Sequence, residues 1–242
     1  MSTSELQGKN AVVVGGGTGI GQAIARKLVA AGAKVAIGGR REDILQQTAA
    51  GTEMLTHPID VADRPSTTVF FEWAVAQLGD IDILVNAAGT NIKNRSMADM
   101  EPEQWDQLMA INATGGYNCM YAVLPAMRRR KQGTILNISS VAGKRAIALG
   151  GIAYSASKFA MTALGTCVAN EVAEDGVRVT NVYPGEVNTP ILANRPTPVT
   201  EEHKQRILQP EHVADLVIAI LALPPTVHVP EVVIKPLSQG WY

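Results

Sequence analysis

The stretch "AVVVGGGTGIGQAIA", residues 11–25, decides the fold. Its first four residues are apolar and three of them are β-branched, the composition of a buried strand. The run passes directly into glycines. Gly15, Gly19 and Gly21 allow a tight turn in which the backbone can come close to a pyrophosphate. A helix starting near Gly19 then offers unpaired N–H groups and the positive end of its dipole to the same anion. The spacing is G-x-x-x-G-x-G rather than the commoner G-x-G-x-x-G. Such a turn can be purely structural, but it sits on the first strand of a βαβ series, where a dinucleotide belongs. The candidate cofactor contacts on it are Gly15, Gly17, Thr18, Gly19, Ile20 and Gly21.

Outward from this turn the pattern alternates. Apolar strand-like runs appear at 34–38, 81–86, 133–139, 177–183 and 231–236, with a weaker one at 53–60. Helical periodicity fills the spaces at 21–32, 66–79 and 211–223, and Gly32, Gly79 and Gly176 are placed as C-terminal stops. Strands alternating with helices predict an α/β fold, a doubly wound parallel sheet flanked by helices. No composition break divides the chain, so a single domain over 1–242 is expected. The proline-rich stretch "NTPILANRPTPVT" (188–200) is too long for a tight connection and reads as a functional loop, with the substrate region placed near 188–210.

The 242 residues carry a formal net charge of -1, which gives no electrostatic footprint for nucleic acid or an anionic membrane. The run "RRRK" (128–131) reads as a solvated helix end. Cys119 and Cys167 are far apart and are expected to be buried, reduced thiols. No apolar window suits a signal peptide or a membrane span, so a soluble cytoplasmic protein is expected. The four histidines lack metal-ligand spacing, and no metal site is expected.

The second strand bears on cofactor choice. An acidic residue about 20 positions beyond the glycines takes the ribose 2′-hydroxyl in NAD sites. Here "AIGGRRED" places Gly39 at that position, followed by Arg40 and Arg41. No carboxylate repels a 2′-phosphate there and a guanidinium can clamp one, which favours NADP(H) with Arg40 as first contact. The alternative is that the arginines merely start a solvated helix and the cofactor is NAD. Asp60, with Val61 beside it, suits an adenine edge, and Asn86, Ala87, Ala88 and Gly89 are expected to floor the cofactor site.

In "AYSASKFAM" (153–161), Tyr154 and Lys158 stand four apart and share one helix face. An ammonium beside a phenol lowers the phenol's pKa toward the working range, and such a phenol can exchange a proton with an alcohol or carbonyl oxygen. Ser139 and Ser140 end the fifth strand at the sheet edge where α/β folds bind ligands, so a serine hydroxyl there could hold the substrate oxygen.

With "GGGTGIG" (15–21), "NAAG" (86–89), "INATGG" (111–116), "ISSVAG" (138–143), "YSASK" (154–158) and "YPGEVNTP" (183–190) in order, the chain resembles the short-chain dehydrogenase/reductases of the compact, non-extended branch. The resemblance implies a Rossmann-type sheet of about seven strands and hydride transfer between NADP(H) and a secondary alcohol or ketone. It implies that Ser140 holds the carbonyl, Tyr154 is the acid/base, Lys158 binds the nicotinamide ribose, and Asn112 holds a relay water. Pro184, Gly185, Val187 and Thr189 resemble the segment closing over the nicotinamide. A homotetramer or homodimer, packed through helices near 101–130 and 154–175, is also implied. Two rivals are an inactive nucleotide-binding or scaffold protein of the same fold and an NAD-dependent enzyme.

The sequence departs from the family pattern in places. Val14 replaces a usual threonine, Ala87 a usual asparagine, and the Ser140–Tyr154 gap is one longer than expected. The tail "VHVPEVVIKPLSQGWY" looks like that of the 3-hydroxy-acid and serine dehydrogenase group. Glu186 is an unusual charge near the substrate, read either as a solvated loop acid or as a contact for a polar or cationic substrate. The segments 90–97 and 188–210 are expected to line the substrate pocket.

Overall fold

The computed structural model describes residues 6–240, so the outermost residues of the expected 1–242 domain, Trp241 and Tyr242 of the tail included, lie outside the described residues. Seven strands form one parallel sheet: β1 (Asn10–Val14), β2 (Lys34–Gly39), β3 (Leu55–Pro58), β4 (Ile83–Asn86), β5 (Gly133–Ile138), β6 (Val177–Pro184) and β7 (Glu231–Ile234). Their order is β3-β2-β1-β4-β5-β6-β7. The chain winds outward from β1 to β3, then returns to lay β4 against the other side of β1. That reversal opens a crevice at the carboxyl ends of β1 and β4, where ligands bind in sheets of this kind.

Alternation along β1 assigns its residues to two cores. Ala11 and Val13 pack with Ile24 and Leu28 of α1 (Gly19–Ala30) and Val217 of α8 (Pro210–Leu221). Val12 and Val14 pack on the other face with Phe70 of α3 (Arg64–Leu78) and Met120 of α5 (Gly115–Arg130). Covering both faces explains why the central strands read as unbroken apolar runs. Each such side chain contributes about 1.5–3 kcal/mol by leaving water.

The helix expected over 101–130 is interrupted. α4 (Pro102–Met109) passes into a π-helical turn, Ala110–Thr114, before α5 begins. The remaining helices are α2 (Glu42–Ala49), near the sheet's β3 edge, α6 (Ile152–Glu171) and the short α7 (Glu201–Arg206). Gly32 and Gly79 take φ of 91° and 84°, as helix-ending glycines do, while Gly176 (φ 68°) closes a 3-10 turn that follows α6. The basic run is not simply solvated: Arg128 bonds Glu171 and Asp175, and Arg130 bonds Asp80.

Cys119 is buried, and burial pushes its thiol up to about 12. Cys167 corrects the sequence expectation, because it is exposed. It falls between the inward-facing Gly165 and Ala169 of α6, and a residue two positions from such a face points away. Among the described residues no helix is long and apolar enough to cross a membrane.

Candidate active site

The carboxyl ends of β1, β4, β5 and β6 open into a cavity of about 500 Å³. Gly15, Gly17, Thr18, Gly19, Ile20 and Gly21 line one end, with Arg40, Arg41, Asp60 and Val61 beside them. Ala87, Ala88 and Gly89 lie along its middle. Ser140, Tyr154 and Lys158 stand opposite the glycine turn, and Pro184, Gly185, Val187 and Thr189 form a further wall.

The turn has the shape its sequence demands. Gly15 has φ +80°, and a Cβ there would stand 2.5 Å from the Ala88 nitrogen. At Gly21 a Cβ would fall 2.2 Å from the Gly15 carbonyl oxygen, so only hydrogen lets α1 pack this closely on the turn. No side chain caps α1: Thr18 sits at the N-cap without such a bond, and the first turn carries no acid. Free N–H groups at a glycine-cradled helix start suit a phosphate. Arg40 and Arg41 are exposed, and among the described residues neither forms an ion pair. The Asp60 carboxylate accepts from the Ala62 N–H at 3.0 Å. These residues fit a dinucleotide with a phosphorylated ribose.

The two serines separate cleanly. Ser139 donates to the Lys158 carbonyl at 3.2 Å, tying β5 to α6. The Ser140 Oγ accepts from the Ala142 N–H at 3.1 Å and shares a hydrogen bond with the Tyr154 hydroxyl. Lys158 is 4% exposed, its Nζ donates to the Ile138 carbonyl at 3.0 Å, and it lies 5.7 Å from the centre of the Tyr154 ring. Burial, which disfavours the charged form, lowers its pKa to about 8.

The expected depression of the tyrosine pKa by Lys158 is not what this geometry produces. Burial raises the Tyr154 pKa above the ordinary value and dominates. The influences that pull it back are the Ser140 hydrogen bond and the positive charge of Arg95. Tyr154 is therefore a protonated phenol at neutral pH.

Asn86 and Asn112 stand one layer behind the wall. Asn86 donates to Asn137 at 2.9 Å, and Asn137 donates to Asn181 at 3.2 Å, a ladder across β4, β5 and β6 in register. The signal was visible as an asparagine ending or nearly ending each of three strand runs. Asn112 lies in the π turn, fully buried. Its Oδ1 accepts from the Thr90 N–H at 2.8 Å, and its Nδ2 donates to the Thr90 carbonyl and to Ser157 Oγ, both at 3.0 Å. A Cβ on Gly89 would lie 3.5 Å from Asn112 Oδ1 and 3.4 Å from Lys158 Nζ, so all three residues meet at one point.

Glu186 is neither solvated nor free. It bonds Arg195 at 3.0 Å and His203 Nε2 at 2.6 Å, with its side chain 19% exposed. Burial pushes its pKa up, but these two partners outweigh burial and hold it below the ordinary carboxylate range. Gln239, from the tail, accepts from the Glu186 N–H at 2.9 Å and so fastens the wall from below.

A glycine turn facing a serine, a tyrosine and a lysine at the carboxyl edge of one parallel sheet is the arrangement of an oxidoreductase. A profile described as short chain dehydrogenase matches residues 9–199. The chain belongs to the short-chain dehydrogenase/reductase family. It is 33% identical over 236 residues to an uncharacterized oxidoreductase of Staphylococcus epidermidis, covering 97% of this chain and all of the other. It is 36% identical over 244 residues to a glycine betaine reductase of Emericella nidulans; that match covers 97% of this chain but only 19% of the larger protein. A serine dehydrogenase solved in a closed form with NADP+ superposes with a TM-score of 0.89 at 28% identity, covering 96% of both chains.

Proposed function

We propose that the protein is an NADP(H)-dependent reductase of ketones, reversible to the secondary alcohol. The observation that carries this reading is the Ser140–Tyr154–Lys158 set facing the glycine turn across one cavity. Bound NADPH would supply the hydride. The turn and α1 would hold its pyrophosphate, and Arg40 with Arg41 its 2′-phosphate. Ser140 and Tyr154 present two hydroxyl donors to the substrate oxygen, arranged before the reaction and therefore able to stabilise charge developing there. Tyr154 gives that oxygen its proton, a task suited to a phenol that burial keeps protonated. Lys158, anchored on Ile138, fixes the amine where a ribose hydroxyl would meet it, and Asn112 holds the 89–90 segment that lies against it.

The reading is tested with a panel of carbonyl compounds and NADPH, followed at the nicotinamide absorbance. At least one member should be reduced above the uncoupled background, and none oxidising NADPH would overturn the assignment. Cofactor choice is a separate measurement. Fluorescence titration should give at least tenfold tighter binding of NADPH than NADH, and Arg40→Ala should remove about tenfold of that margin, the scale of one charge-assisted phosphate contact. Tighter NADH binding by the wild type would contradict the role given to Arg40.

A further inference from the structure

Arg95 stands on the 90–97 segment and lines the cavity with Ser140, Tyr154 and Leu149. Its Nε donates to the Ile92 carbonyl at 2.7 Å, one terminal nitrogen to the Leu149 carbonyl, and the other to the Asn194 carbonyl at 2.8 Å. All three acceptors are neutral backbone oxygens, drawn from three different loops. Among the described residues no carboxylate pairs with it. The neighbouring cation, Arg195, is different: Glu186 neutralises it at 3.0 Å, and both of those side chains are mostly buried. The acid on this wall is thereby consumed, and Arg95 keeps a positive charge that no carboxylate cancels, in addition to the Lys158 amine held by the Ile138 carbonyl.

A guanidinium has five N–H donors. Three are used here, which leaves one on each terminal nitrogen to donate to carboxylate oxygens in charge-assisted bonds. A half-buried cation without a counter-ion is costly to keep, and burial together with Arg195 indeed lowers the Arg95 pKa. We infer that Arg95 is a specificity-determining residue that binds a carboxylate on the substrate, so that the preferred substrates are oxo acids and hydroxy acids. The same balance disfavours a cationic substrate, since Glu186 is already held by Arg195 and His203. This inference rests on the proposed reductase activity for its chemistry but not for its binding contact.

The test compares acids with their methyl esters, which carry the same carbonyl without the charge. Pyruvate, acetoacetate and levulinate are each paired with the ester, and betaine aldehyde serves as the cationic carbonyl. At one chain length or more, kcat/KM for the acid should exceed that for its ester at least tenfold. Arg95→Gln should lower the acid value by roughly 10- to 100-fold, chiefly through KM, the scale of a lost charge-assisted hydrogen bond. The ester should stay within about threefold, because a general loosening of the three loops would lower both alike. Esters or betaine aldehyde preferred throughout, or equal losses on acid and ester, would overturn the inference. Calorimetric titration of the three acids into the NADPH-loaded protein needs no turnover. Binding weakened at least tenfold by Arg95→Gln would uphold the contact even if the reductase reading failed, and unchanged binding would refute it.

Discussion

Replacing Tyr154 with phenylalanine should lower kcat/KM for carbonyl reduction by at least 10²-fold while leaving NADPH affinity within about threefold, the lower end of what a general acid contributes. The substitution removes one oxygen. The ring stays in its place on α6, within reach of the Arg95 charge and beside Ser140. Two separate effects combine. The substrate oxygen loses its proton source, and the pair of hydroxyl donors becomes one. Ser140 remains anchored by the Ala142 N–H, so the residual donor keeps its position and some rate over solution should survive. The raised pKa gives the result a direction: because burial holds the phenol protonated, the loss should be seen at every pH through the neutral range. Stopped-flow or steady-state reduction of any substrate found in the panel measures it. Activity within tenfold of the wild type would remove Tyr154 from the chemistry.

The local rules carried the sheet and the turn. A β-branched run entering three glycines has few conformations open to it, and Gly15 and Gly21 adopt the ones that sterics leave. The pairing of Tyr154 with Lys158 follows from helical spacing alone. What could not be read depends on distant atoms. The tyrosine pKa is set by burial, by the Ser140 hydrogen bond and by Arg95, 59 positions upstream in sequence, and nothing in "YSASK" reports any of them. The π turn at 110–114 is a one-residue change of register inside an otherwise helical pattern, and it is what places Asn112 against Thr90 and Ser157. Glu186 looks like a surface acid until Arg195 and His203, 9 and 17 residues on, fold back onto it. The resemblance singles out Ser140, but the local pattern does not separate it from Ser139: both follow the same strand and both reach α6, Ser139 at the Lys158 carbonyl and Ser140 at the Tyr154 hydroxyl.

Lys158→Met should give opposite results in activity and in stability. Turnover is expected to fall at least 10²-fold, through loss of the amine that the cofactor's ribose would meet. The protein without cofactor should become more stable at neutral pH. The reason is the buried ammonium: a pKa lowered from 10.5 to about 8 corresponds to roughly 3 kcal/mol of unfavourable burial. Methionine fills a similar volume without the charge, though it leaves the Ile138 carbonyl unpaired, which costs about 1–3 kcal/mol. The net gain is therefore small, on the order of 1 kcal/mol, and its pH dependence identifies its source. Between about pH 8 and 10.5 the unfolded chain binds the lysine proton and the folded chain does not, so wild-type stability rises with pH across that window. Below pH 8 both states are protonated and the penalty is present in full. The advantage of the variant should thus be largest at pH 7 and shrink, then reverse, as pH climbs toward 10. Urea titrations of both proteins at pH 7, 8.5 and 10 measure this, and a stability difference that does not change with pH would show that Lys158 is not held in the folded protein as a destabilised cation.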